Sequence, residues 1–154
     1  MPCRLRGNAL QTKGEFDHAL ADYDQAIRLN PKLSYAYYSR GILEAQKGDF
    51  DRAFSDLDEG ICLGPHDVRA YTARAKAWAL KGEYDRALAD IDEAIRLEPD
   101  EHLKVYADRG ATWLKKGDLE HALADENTAI RLYDPSRASV VGSANLYATR
   151  ATTL

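Results

Sequence analysis

The stretch KGEFDHALADYDQAIRLNP, Lys13 to Pro31, returns 68 residues later as KGEYDRALADIDEAIRLEP, Lys81 to Pro99, with 14 of 19 positions identical. The mismatches are mild, such as Phe16 against Tyr84 and Gln25 against Glu93. A chain written this way is built of repeats, and the period of the repeat decides the fold. Each Lys-Gly pair marks one copy: Gly14, Gly48, Gly82 and Gly117 lie 34, 34 and 35 residues apart. Small residues keep the same spacing at Ala26, Gly60, Ala94 and Ala129, and again at Ala19, Ala53, Ala87 and Ala122. Arg6, Arg40, Arg74 and Arg109 form a further column.

Each copy reads as two helices. In the third, Tyr71, Ala75 and Trp78 fall at i, i+4 and i+7, one apolar face of a first helix. Gly82 suits the left-handed position that closes it. Glu83 and Asp85 follow, where acids suit the start of a second helix. Ala87, Ile91, Ala94 and Ile95 make that helix's inner stripe, and Pro99 stops it.

This order of residues resembles the tetratricopeptide repeat: a bulky residue, a small residue and an aromatic, then Ala, a large apolar residue and a closing Pro. Tyr71, Ala75, Trp78, Ala87, Ile91 and Pro99 follow it in the third copy, and Tyr106, Gly110, Trp113, Ala122, Glu126 and Pro135 in the fourth. Tyr37, Gly41, Glu44, Ala53, Leu57 and Pro65 occupy the slots of the second, and Gly7, Leu10, Ala19, Tyr23 and Pro31 those of a first copy that begins late. The resemblance implies an all-α fold, a right-handed α-solenoid of antiparallel helix pairs, with about four repeats plus an extra C-terminal helix. The repeats are expected over residues 1–33 (first helix truncated), 34–67, 68–102 (with one inserted residue) and 103–136. A linker and an incomplete fifth-repeat helix are expected over 137–154. No polar capping helix is visible at either end, as expected of a segment of a longer protein or of a chain whose ends self-associate.

The bulk properties exclude other classes. Charged residues make up 30% with both signs mixed, and no apolar run approaches a membrane span, so no membrane partner is expected. The start of the chain lacks the apolar core of a secretory signal, and a cytoplasmic location is the expectation. A net charge of −4 gives no general attraction for nucleic acid. Cys3 and Cys62 show no disulfide framework or metal spacing, and the four histidines form no close ligand pair. Nucleotide-loop and hydrolase motifs are missing. Neither enzyme activity, nor a cofactor, nor a metal is expected.

Features common to every copy serve the scaffold. The arginine column and the acids Asp22/Asp24, Asp56/Asp58, Asp90/Asp92 and Asp125 are expected to pair as a charged ladder. Two departures stand out: Glu44 sits where other copies hold Leu10, Trp78 and Trp113, and Glu126 where they hold Tyr23, Leu57 and Ile91. A buried lone carboxylate is costly, so each is expected to form a salt bridge at a repeat junction or to reach water.

Function is sought where the copies differ. The family resemblance implies that first helices line an inner groove. Its slots hold Arg4, Asn8 and Gln11 in the first repeat, Tyr35, Tyr38 and Ile42 in the second, Arg69, Thr72 and Lys76 in the third, and Lys104 in the fourth. These slots contain no acid, so a basic, Tyr-bearing groove for an acidic or C-terminal peptide segment is expected. A different role for Tyr35 and Tyr38 is to cover the junction with the first repeat. In chaperone-associated members a carboxylate clamp grips the tail of heat-shock chaperones. Arg4, Asn8 and Arg69 fall on such slots, whereas Ser39 replaces an Asn and Ala73 a cation. Alternative readings are a self-assembling module, forming a homo-oligomer through its incomplete terminal helices (Asn145 to Leu154 at one end), and the repeat arm of a larger enzyme or chaperone-associated protein. The asparagine ladder of the family's sugar-transferase arms is absent, since its slots hold Leu5, Ser39, Ala73 and Asp108.

Overall fold

The computed structural model of the chain describes residues 15–99 and 103–133. Arg4, Arg6, Asn8, Gln11, Gly14 and the expected helix at Asn145 to Leu154 lie outside the described residues. Within them are seven α-helices, each of 14 residues, and no strand: α1 (Phe16–Leu29), α2 (Ser34–Lys47), α3 (Phe50–Leu63), α4 (Val68–Lys81), α5 (Tyr84–Leu97), α6 (Leu103–Lys116) and α7 (Leu119–Leu132). None is long and apolar enough to cross a membrane. The chain divides into two compact units, Met1–Glu83 and Tyr84–Leu154.

The glycine column works as its spacing predicts. Gly48, Gly82 and Gly117 have φ of +87°, +86° and +91°, a conformation that costs an L side chain energy. Each closes a first helix in the same way. The N–H of the residue after the glycine donates to a carbonyl five residues back: Asp49 to Glu44, Glu83 to Trp78 and Asp118 to Trp113, each at 2.9 Å. Asp49 and Asp118 then cap α3 and α7, accepting from the N–H of Arg52 and His121.

In the first unit α2 packs on α1, α3 and α4, and α3 also packs on α4. One apolar cluster joins Ala19, Tyr23 and Ala26 of α1 to Ala36 and Leu43 of α2. A second joins Ala45 of α2 and Ala53 and Leu57 of α3 to Ala73 and Ala77 of α4. Small residues bring these backbones close. An ideal Cβ on Gly41 would lie 2.8 Å from Leu57 Cγ and 2.9 Å from the Ala53 carbonyl. In the second unit α6 packs on α5 and α7. The alanine column Ala19, Ala53, Ala87 and Ala122 is fully buried throughout, as a close-contact column should be.

Candidate functional site

Among the described residues Arg40, Arg74 and Arg109 form the expected charged pairs. Arg40 grips Asp56 of its own repeat with two hydrogen bonds, Nε to Oδ2 at 2.5 Å and Nη2 to Oδ1 at 2.7 Å, and Nη1 reaches Asp24 of the preceding repeat at 2.7 Å. In the second unit Arg109 repeats this arrangement on Asp125 (2.8 and 2.6 Å) and Asp92 (2.8 Å). Arg74 donates to Asp58 at 2.7 Å. Asp56 and Asp125 are buried, and the fork geometry suits a bidentate carboxylate. These contacts hold the Arg40 and Arg109 guanidinium groups well above their ordinary pKa.

A second set of cross-repeat pairs was missed in the sequence. Lys47 Nζ meets Asp17 and Lys116 Nζ meets Asp85, each at 2.6 Å. Their sequence signal is the Lys that precedes each glycine of the repeat column. Lys81, in the same column, lies 5.8 Å from the Phe54 ring and 5.9 Å from the Trp78 ring.

The groove slots divide. On α2, Tyr35 packs against the α1–α2 cluster, so it does cover the junction with the first repeat. Tyr38 and Ile42 instead pack against the cluster that includes Ala73 and Ala77 of the following repeat. All three are half-buried, with part of each surface accessible. Arg69 is engaged within its own helix start, where Nε and Nη2 donate to Asp67 at 3.0 and 3.1 Å. Asp67 also caps α4 by accepting from the Arg69 N–H at 3.0 Å. The slots themselves hold no acid, yet Asp67, two residues before Arg69, offsets its charge. Thr72 Oγ1 donates to the Arg69 carbonyl at 3.1 Å. Lys76 in the first unit and Lys104 in the second are exposed, and neither joins an ion pair among the described residues.

The salt bridges expected for the two odd glutamates do not form. Among the described residues no cation lies within ion-pair reach of Glu44 or Glu126, and each has a buried oxygen, Oε2, without a hydrogen-bond partner. Arg40 and Arg109 are already divided between two aspartates each. Burial pushes the Glu44 carboxyl up to about 7, with the negative charge of Asp56 adding to the effect. Glu126 is 2% exposed, and burial first, then Asp125, raise its pKa as well. No group of three or more metal-binding side chains occurs among the described residues.

Comparisons with known proteins agree with this architecture. A family model described as TPR repeat matches residues 7–48, and one described as tetratricopeptide repeat matches residues 68–101. No curated protein matches the chain. Among solved structures, a tetratricopeptide repeat protein from Parabacteroides merdae is 26% identical with a TM-score of 0.81, covering 98% of this chain and 56% of its own. The chain therefore spans a little over half the length of that protein. MamA (41-end) from Desulfovibrio magneticus RS-1 is 23% identical with a TM-score of 0.71, covering 90% of this chain and 77% of its own. The first TPR of Spaghetti (RPAP3), bound to the HSP90 peptide SRMEEVD, is 19% identical with a TM-score of 0.65, covering 75% of this chain and 93% of its own. With its repeated columns, its left-handed glycine caps and these matches, the chain is a tetratricopeptide repeat protein, an all-α solenoid of helix pairs.

Proposed function

We propose that the chain is a non-catalytic scaffold for protein–protein interaction that takes an acidic or C-terminal peptide segment on its first-helix faces. In the first unit the surface comprises Tyr38 and Ile42 on the α2 side of the α2–α4 contact, Tyr35 nearer the α1–α2 junction, and Thr72 and Lys76 on α4. The half-buried tyrosines offer flat apolar contact, and the exposed ammonium of Lys76 offers charge-assisted hydrogen bonds to a carboxylate. Lys104 offers the same on α6 in the second unit.

The observation that supports this most is a separation of charge. Carboxylates of the second helices, Asp24, Asp56 and Asp58, are held by Arg40 and Arg74, whereas Lys76 on the first-helix stripe has no ion pair among the described residues. The first TPR of Spaghetti (RPAP3), which shares the fold, holds a peptide, SRMEEVD, whose last four residues carry three acids. Because Arg69 is held by Asp67, Lys76 is the main cation of this surface among the described residues of the first unit.

A selection of displayed peptides with free C-termini tests the proposal, using the native chain and a Lys76→Glu, Lys104→Glu variant. Acidic tails are expected to enrich on the native chain and to disappear on the variant. Enrichment of the same tails on both would rule out this surface.

A further inference from the structure

One repeat slot holds an indole in two described copies and a carboxylate in a third. Trp78 lies on Phe54 with ring centroids 3.8 Å apart, and Trp113 lies on His121 with centroids 4.6 Å apart. The equivalent slot in the second repeat holds Glu44. Leu20 precedes Glu44 by the 24 residues that separate Phe54 from Trp78, and Arg52 follows it by the eight that separate His121 from Trp113. The two residues positioned to receive an indole therefore flank a carboxylate instead. Both line a half-open cavity of about 340 Å³ within the first unit, along with Asp24, Arg40, Glu44 and Asp56.

Such a volume lies at the low end of ligand-sized pockets and suits one side chain. Its electrostatics favour a cation. The guanidinium of Arg40 is engaged by Asp24 and Asp56, and Arg52 leans on Asp49 at 3.4 Å. Glu44 is left with a buried oxygen that accepts nothing. A carboxylate in place of an indole also costs stability, and such a local conflict is where function is to be sought. Positions 40 and 44 are about 200° around α2 from Tyr38 and Ile42, so this site is distinct from the peptide surface.

We propose that the cavity beside Glu44 receives a guanidinium group on an alkyl stem, as in an arginine side chain. The planar cation fits the slot that an indole fills elsewhere, its stem covers Leu20, and its donors pair with Glu44. The site is independent of the peptide reading above.

The test is an NMR titration of the native chain with butylguanidinium and with a capped Gly-Arg-Gly peptide, repeated on Glu44→Gln and Lys76→Glu. Native chain and Lys76→Glu are expected to bind alike, and Glu44→Gln at least tenfold more weakly with its helix content unchanged. Guanidinium stays charged throughout, so affinity should rise about tenfold from pH 6 to pH 8 as Glu44 ionises through its pKa of about 7. The other charged groups facing it are Asp24 on α1, Arg40 on α2, Arg52 and Asp56 on α3, and the capping Asp49. Tighter binding of the peptide points to a partner protein's arginine, and equal binding to a free guanidino compound. Either carries the site. Equal binding by native chain and Glu44→Gln overturns the proposal, as does binding of neutral N-acetyl-tryptophanamide by the native chain as tightly as butylguanidinium, which would make the pocket a matter of shape alone.

Discussion

Arg40 and Asp56 stand 16 residues apart and are joined by two hydrogen bonds, from the adjacent helices of one repeat, and Arg109 and Asp125 share the same separation and geometry. In both pairs the third contact runs to the preceding repeat, at Asp24 or Asp92. Packing inside a repeat and stacking between repeats thus depend on one guanidinium.

Truncating that group should cost far more than removing an exposed lysine. Arg40→Ala leaves Asp56 buried without its cation, and a loss of about 2–4 kcal/mol is expected. Arg40→Lys should recover only part of it, because an ammonium cannot form the fork. Lys47→Ala, which removes an exposed pair with Asp17, should cost under about 1 kcal/mol. Urea denaturation of the three variants measures the difference.

The ladder was legible because repetition supplies its own control: an Arg column and an Asp column in register leave little else to pair with. The left-handed glycines were legible for the same reason. The fate of Glu44 and Glu126 was not. Spacing identified them as acids in apolar slots that need a cation or water, but the neighbouring Arg40 and Arg109 are saturated in the folded chain, and of the two only Glu44 borders an open cavity. Arg69 misled in the opposite sense, since Asp67 at the start of α4 holds it by both backbone and side chain. An Asp just before an apolar helix start is a capping signal, and here the same carboxylate also neutralises the neighbouring cation.

Glu126 faces the small Gly110 in the space that Leu57 fills against Gly41. Glu126→Leu removes an unpartnered buried carboxyl and restores the apolar contact. It is expected to stabilise the second unit by about 1–3 kcal/mol, measurable as a raised urea midpoint with unchanged slope.

Glu44 makes stability depend on pH. Its folded pKa of about 7 lies above the ordinary glutamate value of 4.5, so between these values the unfolded chain releases a proton that the folded chain keeps. Stability should therefore fall as pH rises from about 4.5 to 7 and then level off. Allowing for partial solvent exposure, the loss is expected to be about 1–2 kcal/mol. Glu44→Gln should reduce this slope, leaving the part of the same sign that Glu126 contributes, and thermal melts of both chains at pH 4.5 and pH 8 check it.

Gly41→Ala places a methyl group 2.8 Å from Leu57 Cγ and 2.9 Å from a backbone carbonyl that cannot turn away. A destabilisation of about 1–3 kcal/mol is expected. Gly110→Ala meets its nearest atoms at 3.3 and 3.4 Å and should be close to neutral, since alanine also favours the helix. Chemical denaturation of the pair separates the two cases.

The central claim, that the first-helix stripe reads acidic segments, is tested most directly by calorimetry. A short peptide ending in two acids and a free carboxylate would be titrated into the native chain and into Lys76→Glu. The account expects the variant to bind at least tenfold more weakly, a difference of about 1.4 kcal/mol, with the native affinity falling as salt is raised. Equal affinities for the two chains, insensitive to salt, would contradict it.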